Sequence, residues 1–207
     1  MKIFHPVKAT EPALLVIVAA ISLFRPPLQA SDLEIVPDSV EYAIGAWNLA
    51  NGEGYRIEVN NQSYPPRYAP WFSTIAIAPA YLLIGNEIGN AIFPVLFFSI
   101  IGVLAAYGIG CHCNKRWSGI LAGLFLLIIP EYVFYTRHIM SDVPATSLVL
   151  LAAFLYLNLS TMPRPRLSML FTAGMTVALA VSFRISMVFL LCPFALLLLL
   201  KILNTKQ

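Results

Sequence analysis

Apolar runs bounded by short polar breaks set the organisation of the chain. Residues 89–110, 118–134, 143–159, 167–183 and 186–201 are each apolar over nearly their whole length, and 13–24 is a shorter run that extends weakly to Leu28. A bilayer core takes about 20 apolar residues per helix, within a range of roughly 17–25, so these runs predict membrane spans. The first follows Lys2 and Lys8 and has the outline of a signal peptide, but Leu28-Gln29-Ala30 is a mediocre cleavage site, which favours an uncleaved anchor. Residues 71–85 are apolar too, yet number only about 15 and contain Pro79, a length that fits a re-entrant or interfacial helix better than a span.

Charge decides whether 71–85 crosses. Lys and Arg collect in cytoplasmic loops, and that bias sets orientation. If 71–85 does not cross and the N-terminus is inside, Lys2, Lys8, Lys115, Arg116, Arg164, Arg166, Lys201 and Lys206 fall inside, against Arg25, Arg56, Arg67, Arg137 and Arg184 outside. Every acid except Glu11 then lies outside. A crossing would turn the Lys115-Arg116 and Arg164/Arg166 loops outward. The expectation is an all-α membrane protein of about six spans with both termini cytoplasmic, one module over 1–207. Its outer loops cover about 25–88 and 131–142, and the first carries an interfacial helix.

Composition agrees. The chain of 207 residues is 59% hydrophobic and 11% charged, with a mean hydropathy of +0.78. Soluble domains carry about 25% charged residues, so a soluble enzyme and a disordered tail are excluded. Three cysteines do not build a disulfide framework, and a scattered net charge of +3 argues against nucleic acid. Cys111-His112-Cys113 is too tightly spaced for a zinc site, and Gly102, Ala105, Ala106 and Gly110 suggest close helix packing.

The candidate chemistry lies in the two outer loops. From Pro37-Asp38-Ser39, residues Val40, Ala43, Ile44 and Trp47 recur at helical spacing and define one apolar face suited to the membrane interface, and Asn51-Gly52 ends the pattern. Asp38 then points almost opposite that face, with Glu41 about 60° from it. Capping by Asp38 and solvation of Glu41 are the plain alternatives. Asp142 opens the run at 143 on the same side; it either caps that helix or serves a site, as acids at a membrane mouth do. Within the first loop, just before the re-entrant run, Tyr64-Pro65-Pro66-Arg67-Tyr68-Ala69-Pro70-Trp71 is held extended by its prolines. That sets Arg67 at the membrane surface among aromatic rings, either to bind phosphate through its fork of donors or to snorkel to lipid headgroups. Arg137 and Arg184 are further outer-side cations. His138 is near enough to Asp142 in sequence to join a metal site with Asp38, although an ordinary interface histidine is the simpler reading.

Pro37-Asp38-Ser-x-x-Tyr42, Ala46-x-x-Leu49-Ala50-x-Gly52-x-Gly54-Tyr55, Tyr64-Pro65-Pro66-x-Tyr68-x-Pro70 and Ser141-Asp142-x-Pro144 resemble, in order and spacing, the C-type (GT-C) membrane glycosyltransferases, in particular the protein-mannosyltransferase and aminoarabinose-transferase branch. The resemblance covers about residues 12 to 200. It implies a polyprenyl-phosphate sugar donor used at the outer membrane face, with inversion, Asp38 as general base and Asp142 positioning the acceptor or helping to bind a divalent metal. Arg67, Tyr64, Arg137, Arg184 and Glu41 become candidate substrate-binding residues. Two departures stand out. Ser63 and Tyr64 occupy the places of an acid and a lysine that in the aminoarabinose branch serve metal and phosphate, leaving Arg67 as the substitute. The resemblance also implies a chain two to three times longer, so the 207 residues are expected to be an N-terminal module completed by a second chain or by a longer frame. A non-catalytic partner subunit and, further off, a small six-helix transporter are the rival expectations.

Overall fold

A computed structural model of the chain describes residues 10–23, 37–113, 116–162, 167–190, 192 and 194. The expectations that rest on Lys2, Lys8, Arg25, Lys115, Arg164, Arg166, Lys201 and Lys206 lie outside those residues. The order of elements is α1 (Thr10–Leu23), α2 (Pro37–Ala50), a hairpin of β1 (Ile57–Val59) and β2 (Gln62–Tyr64), a π-helical turn (Ser73–Ile77) running into α3 (Ala78–Ile84), a 3-10 turn (Ile88–Ala91) running into α4 (Ile92–Cys113), then α5 (Arg116–Ile128), α6 (Pro130–Tyr135), α7 (Asp142–Thr161), α8 (Leu167–Phe183) and a 3-10 segment (Ile185–Leu190).

Helix α4 is the hub: α1, α5 and α7 pack against it, and α8 packs against the far side of α7. Among the described residues two helices, Ile88–Cys113 and Asp142–Thr161, are long and apolar enough to cross a membrane, while Ser73–Ile84, Arg116–Ile128 and Leu167–Phe183 are shorter apolar helices. The protein is thus a predominantly helical membrane protein, as the apolar runs predict. Their lateral packing is close. A Cβ on Gly110 of α4 would stand 2.4 Å from the Ser118 backbone oxygen and 2.8 Å from Gly119 Cα, so only hydrogen at this position lets the two backbones approach.

Two expectations need correction, and one element was not expected. The apolar run 118–134 is not one helix: α5 ends at Ile128 and α6 begins at Pro130, with Ile129 extended at φ −62°, ψ 116° between them. Proline has no N–H to donate and its ring disfavours helical geometry in the residue before it. The outer loop is not wholly helical either, because Ile57–Val59 pairs antiparallel with Gln62–Tyr64. Two β-branched residues lead into a two-residue turn in which Asn60 and Asn61 both take positive φ, 54° and 61°, the geometry of the tight hairpin that asparagine tolerates. Finally, α2 buries a stripe rotated by about one residue from the expected one: Ser39, Tyr42, Ala43 and Ala46 are buried, with Ala43 common to both stripes, and Val40 is exposed.

The ends of α2 follow from its sequence. Gly52 takes φ 80°, and the bonds Glu53 N–H to Asn48 O (2.8 Å) and Gly52 N–H to Leu49 O (3.1 Å) close the helix as a Schellman motif. The buried side of α2 lies on the Ser73–Ile84 helix. There Tyr81 Oη donates to Ala43 O (3.2 Å) and Ser73 Oγ to Tyr42 O (3.2 Å). An aromatic string then joins this layer to the bundle: Tyr42 to Phe72 (5.6 Å between ring centres), Phe72 to Phe183 of α8 (5.2 Å) and Phe183 to Phe98 of α4 (5.5 Å), all edge to face.

Candidate active site

That aromatic string brings the start of α2, the start of α7 and the end of α8 to one place. Asp142 is the first residue of α7. The residue before it, Ser141, occupies the N-cap position but makes no side-chain cap bond; its Oγ instead shares a buried hydrogen bond of 3.1 Å with Tyr42 Oη. Asp142 is therefore not the cap. Its Oδ1 is in a close ion pair with Arg184 Nη1, which follows the last residue of α8, and its Oδ2 is buried without a hydrogen-bond partner. A carboxylate oxygen withdrawn from water and left unpaired is expensive, and such an atom at a mouth between elements suits a group supplied by a ligand.

Asp38 stands in the first turn of α2. The nearby Asp38 carboxylate, with some burial, pushes the Tyr68 hydroxyl up to about 12, so it stays protonated throughout the physiological range. The Tyr68 ring stacks on that of Tyr42, with centres 4.9 Å apart and planes 20° apart. Burial raises the Tyr42 hydroxyl as well, against the opposing effect of Ser141, and the Asp142 and Arg184 charges both act on it. Tyr68, Tyr42, Ser141, Asp142 and Arg184 thus form one line from the proline-rich segment to the end of α8, with Asp38 one turn before Tyr42 on α2.

Glu41 is one turn further along α2 and is 8% exposed. It takes two bonds from Arg67, one from the backbone N–H (2.9 Å) and one from Nε (2.6 Å). The guanidinium itself remains 67% exposed, with its outer nitrogens open to solvent. Glu41 is accordingly not a solvated surface acid: it fastens the proline-rich segment to α2. Gly45 and Asn48 of α2 fasten the hairpin, the first by leaving room for the Tyr55 ring and the second by donating to Arg56 O (2.7 Å).

Other expected site residues do not converge here. Tyr64 ends β2, is exposed and bonds Gln62. Arg137 is exposed beyond α6. His138 is buried with Nδ1 at 2.8 Å from Phe134 O and its ring against the Phe134 ring. Among the described residues no group of three or more His, Cys, Asp or Glu side chains could hold a metal ion, so Asp38, Asp142 and His138 do not make a joint metal site. Tyr42 and Ser141, to which sequence reasoning assigned no role, tie the helix of Asp38 to the start of α7, and Tyr68, likewise unassigned, stacks on Tyr42. Their signal was present, because each is a fixed letter of the motifs that frame Asp38, Arg67 and Asp142.

A family model described as dolichyl-phosphate-mannose-protein mannosyltransferase matches residues 65–206. The chain belongs to that family. It is a family of membrane glycosyltransferases that use a lipid-linked sugar donor. Arg67, Tyr68, Ser141, Asp142 and Arg184 fall within the matched residues, whereas Asp38, Glu41 and Tyr42 precede them. No curated protein matches the chain.

Proposed function

We propose that the chain forms the catalytic face of a polyprenyl-phosphate-dependent glycosyltransferase, with Asp38 as general base and the site at the outer membrane surface. The observation that carries this reading is the Tyr42–Ser141 bond with the Asp142–Arg184 pair beside it, which brings the helix of Asp38 together with a second carboxylate and a cation from two further elements. Family membership supports a lipid-linked mannose as the donor.

In the proposed reaction the acceptor hydroxyl gives its proton to the Asp38 carboxylate as its oxygen attacks the anomeric carbon. The bond from that carbon to the phosphate oxygen breaks, and polyprenyl phosphate departs with the electron pair. A single displacement inverts the anomeric centre. A positioned base of this kind is worth about 10²–10⁴-fold. The charge that grows on the leaving phosphate calls for fixed cations. Arg184, held by Asp142, and the exposed fork of Arg67 are the cations available to supply them. The unpartnered Oδ2 of Asp142 is suited to accept from a second donor group of the acceptor, other than the attacking hydroxyl, and so orient it.

Membranes containing the protein, incubated with a synthetic polyprenyl-phosphate mannose of defined anomeric configuration, test the reading. The expected products are free polyprenyl phosphate and a glycoside of opposite configuration. Retained configuration would rule out the single displacement, and absence of released polyprenyl phosphate would rule out the donor class.

A further inference from the structure

The proline-rich segment presents the Arg67 guanidinium to solvent, and one carboxylate fixes how it is presented. Both oxygens of Glu41 bind this single residue: Oε2 accepts from the Arg67 backbone N–H at 2.9 Å and Oε1 from its Nε at 2.6 Å. The two bonds close a ring that runs from the backbone nitrogen along the side chain to Nε and back through the carboxylate. The first three side-chain torsions of Arg67 lie within that ring. The Nε–H direction then sets the plane of the guanidinium, because the group is flat. Glu41 is itself buried on α2, so the anchor is fixed. It takes one of the five guanidinium donors and leaves the four on the outer nitrogens, in a side chain that stays exposed. The segment also has other anchors: the Tyr68 ring stacks on Tyr42 at 4.9 Å, and the Tyr68 carbonyl accepts from Tyr55 Oη at 3.2 Å. What the bond to Nε adds is the aim of the side chain.

We infer that Glu41 is the positioning residue for Arg67, holding its outer nitrogens ready for the phosphate of the lipid-linked donor. This rests on the proposed donor class and on Arg67 as one of the cations that meet its phosphate. A free arginine gives up much of its side-chain freedom when it binds a partner. A carboxylate that orders the chain beforehand removes that cost from the encounter. By charge alone the same carboxylate opposes binding, since it offsets the attraction of Arg67 for an anion. Orientation and charge therefore predict opposite signs when Glu41 is changed. Glu41 acts through Arg67 and takes no part in bond making.

Binding of a short-chain polyprenyl phosphate to the full chain in lipid nanodiscs tests this, using Glu41→Gln, Glu41→Asp, Arg67→Ala and each Glu41 variant combined with Arg67→Ala. Glu41→Gln keeps an oxygen for the Arg67 backbone N–H but has no second acceptor for Nε. Glu41→Asp keeps the charge and is one methylene too short to hold both bonds. The expected result is a Kd raised about three- to tenfold by either change, the worth of ordering one long side chain on binding. KM for the donor should rise with it, and KM for the acceptor should not move. In the Arg67→Ala background neither Glu41 variant should cost anything further. Unchanged or tighter binding by Glu41→Gln would overturn the role, because charge and not aim would then decide. An equal loss in both backgrounds would also overturn it and leave Glu41 as a fastener of the backbone. If Glu41→Gln fails to accumulate, Glu41→Asp carries the same comparison. Binding by Arg67→Ala as tight as that of the unaltered chain would remove Arg67 from the phosphate site, and this inference with it, while leaving Asp38 as base. No binding by the unaltered chain would overturn the donor class itself.

Discussion

Tyr42 is the joint between the two halves of the site, and its removal should separate a small effect from a large one. The side chain is 4% exposed. Its hydroxyl meets Ser141 at 3.1 Å, and its ring meets Tyr68 at 4.9 Å and Phe72 at 5.6 Å. Tyr42→Phe removes one hydrogen bond, worth about 0.5–1.5 kcal/mol net. Tyr42→Ala removes the ring with its contacts and leaves a cavity, at about 3–5 kcal/mol. For a chain of this length each kcal/mol corresponds to roughly 2–4 °C in melting temperature. The expected shifts are therefore a few degrees for the phenylalanine and about 10 °C or more for the alanine, read by tryptophan fluorescence during thermal unfolding in detergent. Transfer should fall in both variants, because Ser141 and Asp142 lose their tie to α2. An alanine variant that melts together with the phenylalanine variant would refute the reasoning, since the ring would then not be what holds α2 against α7.

Other expectations follow from separate parts of the molecule. Arg67→Ala should weaken binding of polyprenyl phosphate, and Arg67→Lys should do so partly, because a point charge replaces a fork; unchanged binding in the alanine variant would mean that the arginine serves only to fasten its segment through Glu41. Gly110→Ala forces a methyl group onto the Ser118 and Gly119 backbone and should cost about 1–3 kcal/mol in thermal unfolding, whereas Gly174→Ala, with nothing within 4 Å of the added carbon, should be neutral or slightly stabilising. If Ser73–Ile84 enters the membrane without crossing, Cys111 and Cys113 resist a membrane-impermeant thiol reagent applied to intact cells once Cys192 has been replaced; ready labelling from outside would reverse the orientation of α4.

The long elements were legible because lipid imposes a simple rule, continuous apolar sequence over about 20 residues. Runs 89–110 and 143–159 accordingly reappear as the two long helices. The break at Pro130 was legible in principle, since proline ends helices, but apolar composition on both sides concealed it. The buried face of α2 was misplaced for a different reason. Periodicity ranks Ser39 and Tyr42 below Val40 and Ile44 by hydropathy, whereas in the fold Ser39 and Tyr42 are buried, with the Tyr42 hydroxyl bonded to Ser141 and its backbone to Ser73. Similarly, Glu41 reads as surface until its partner comes back to it in the fold; its bonds to Arg67 span 26 residues. The acids themselves could be found by type and side of the membrane. That their helices meet through the Tyr42–Ser141 bond, with Tyr68 stacked on Tyr42, could not, because these contacts are set by tertiary packing and leave no local pattern.

The central claim is that Asp38 accepts the acceptor's proton. Asn in its place keeps the size of the side chain and helix-start preferences about equal to those of Asp, but has no carboxylate to take a proton. The most direct measurement is sugar transfer by Asp38→Asn in the membrane-embedded protein, beside Glu41→Gln as a comparison from the same helix. The account predicts normal accumulation of Asp38→Asn and a loss of transfer of about 10²–10⁴-fold, with a far smaller loss for Glu41→Gln. Full transfer by Asp38→Asn would contradict it.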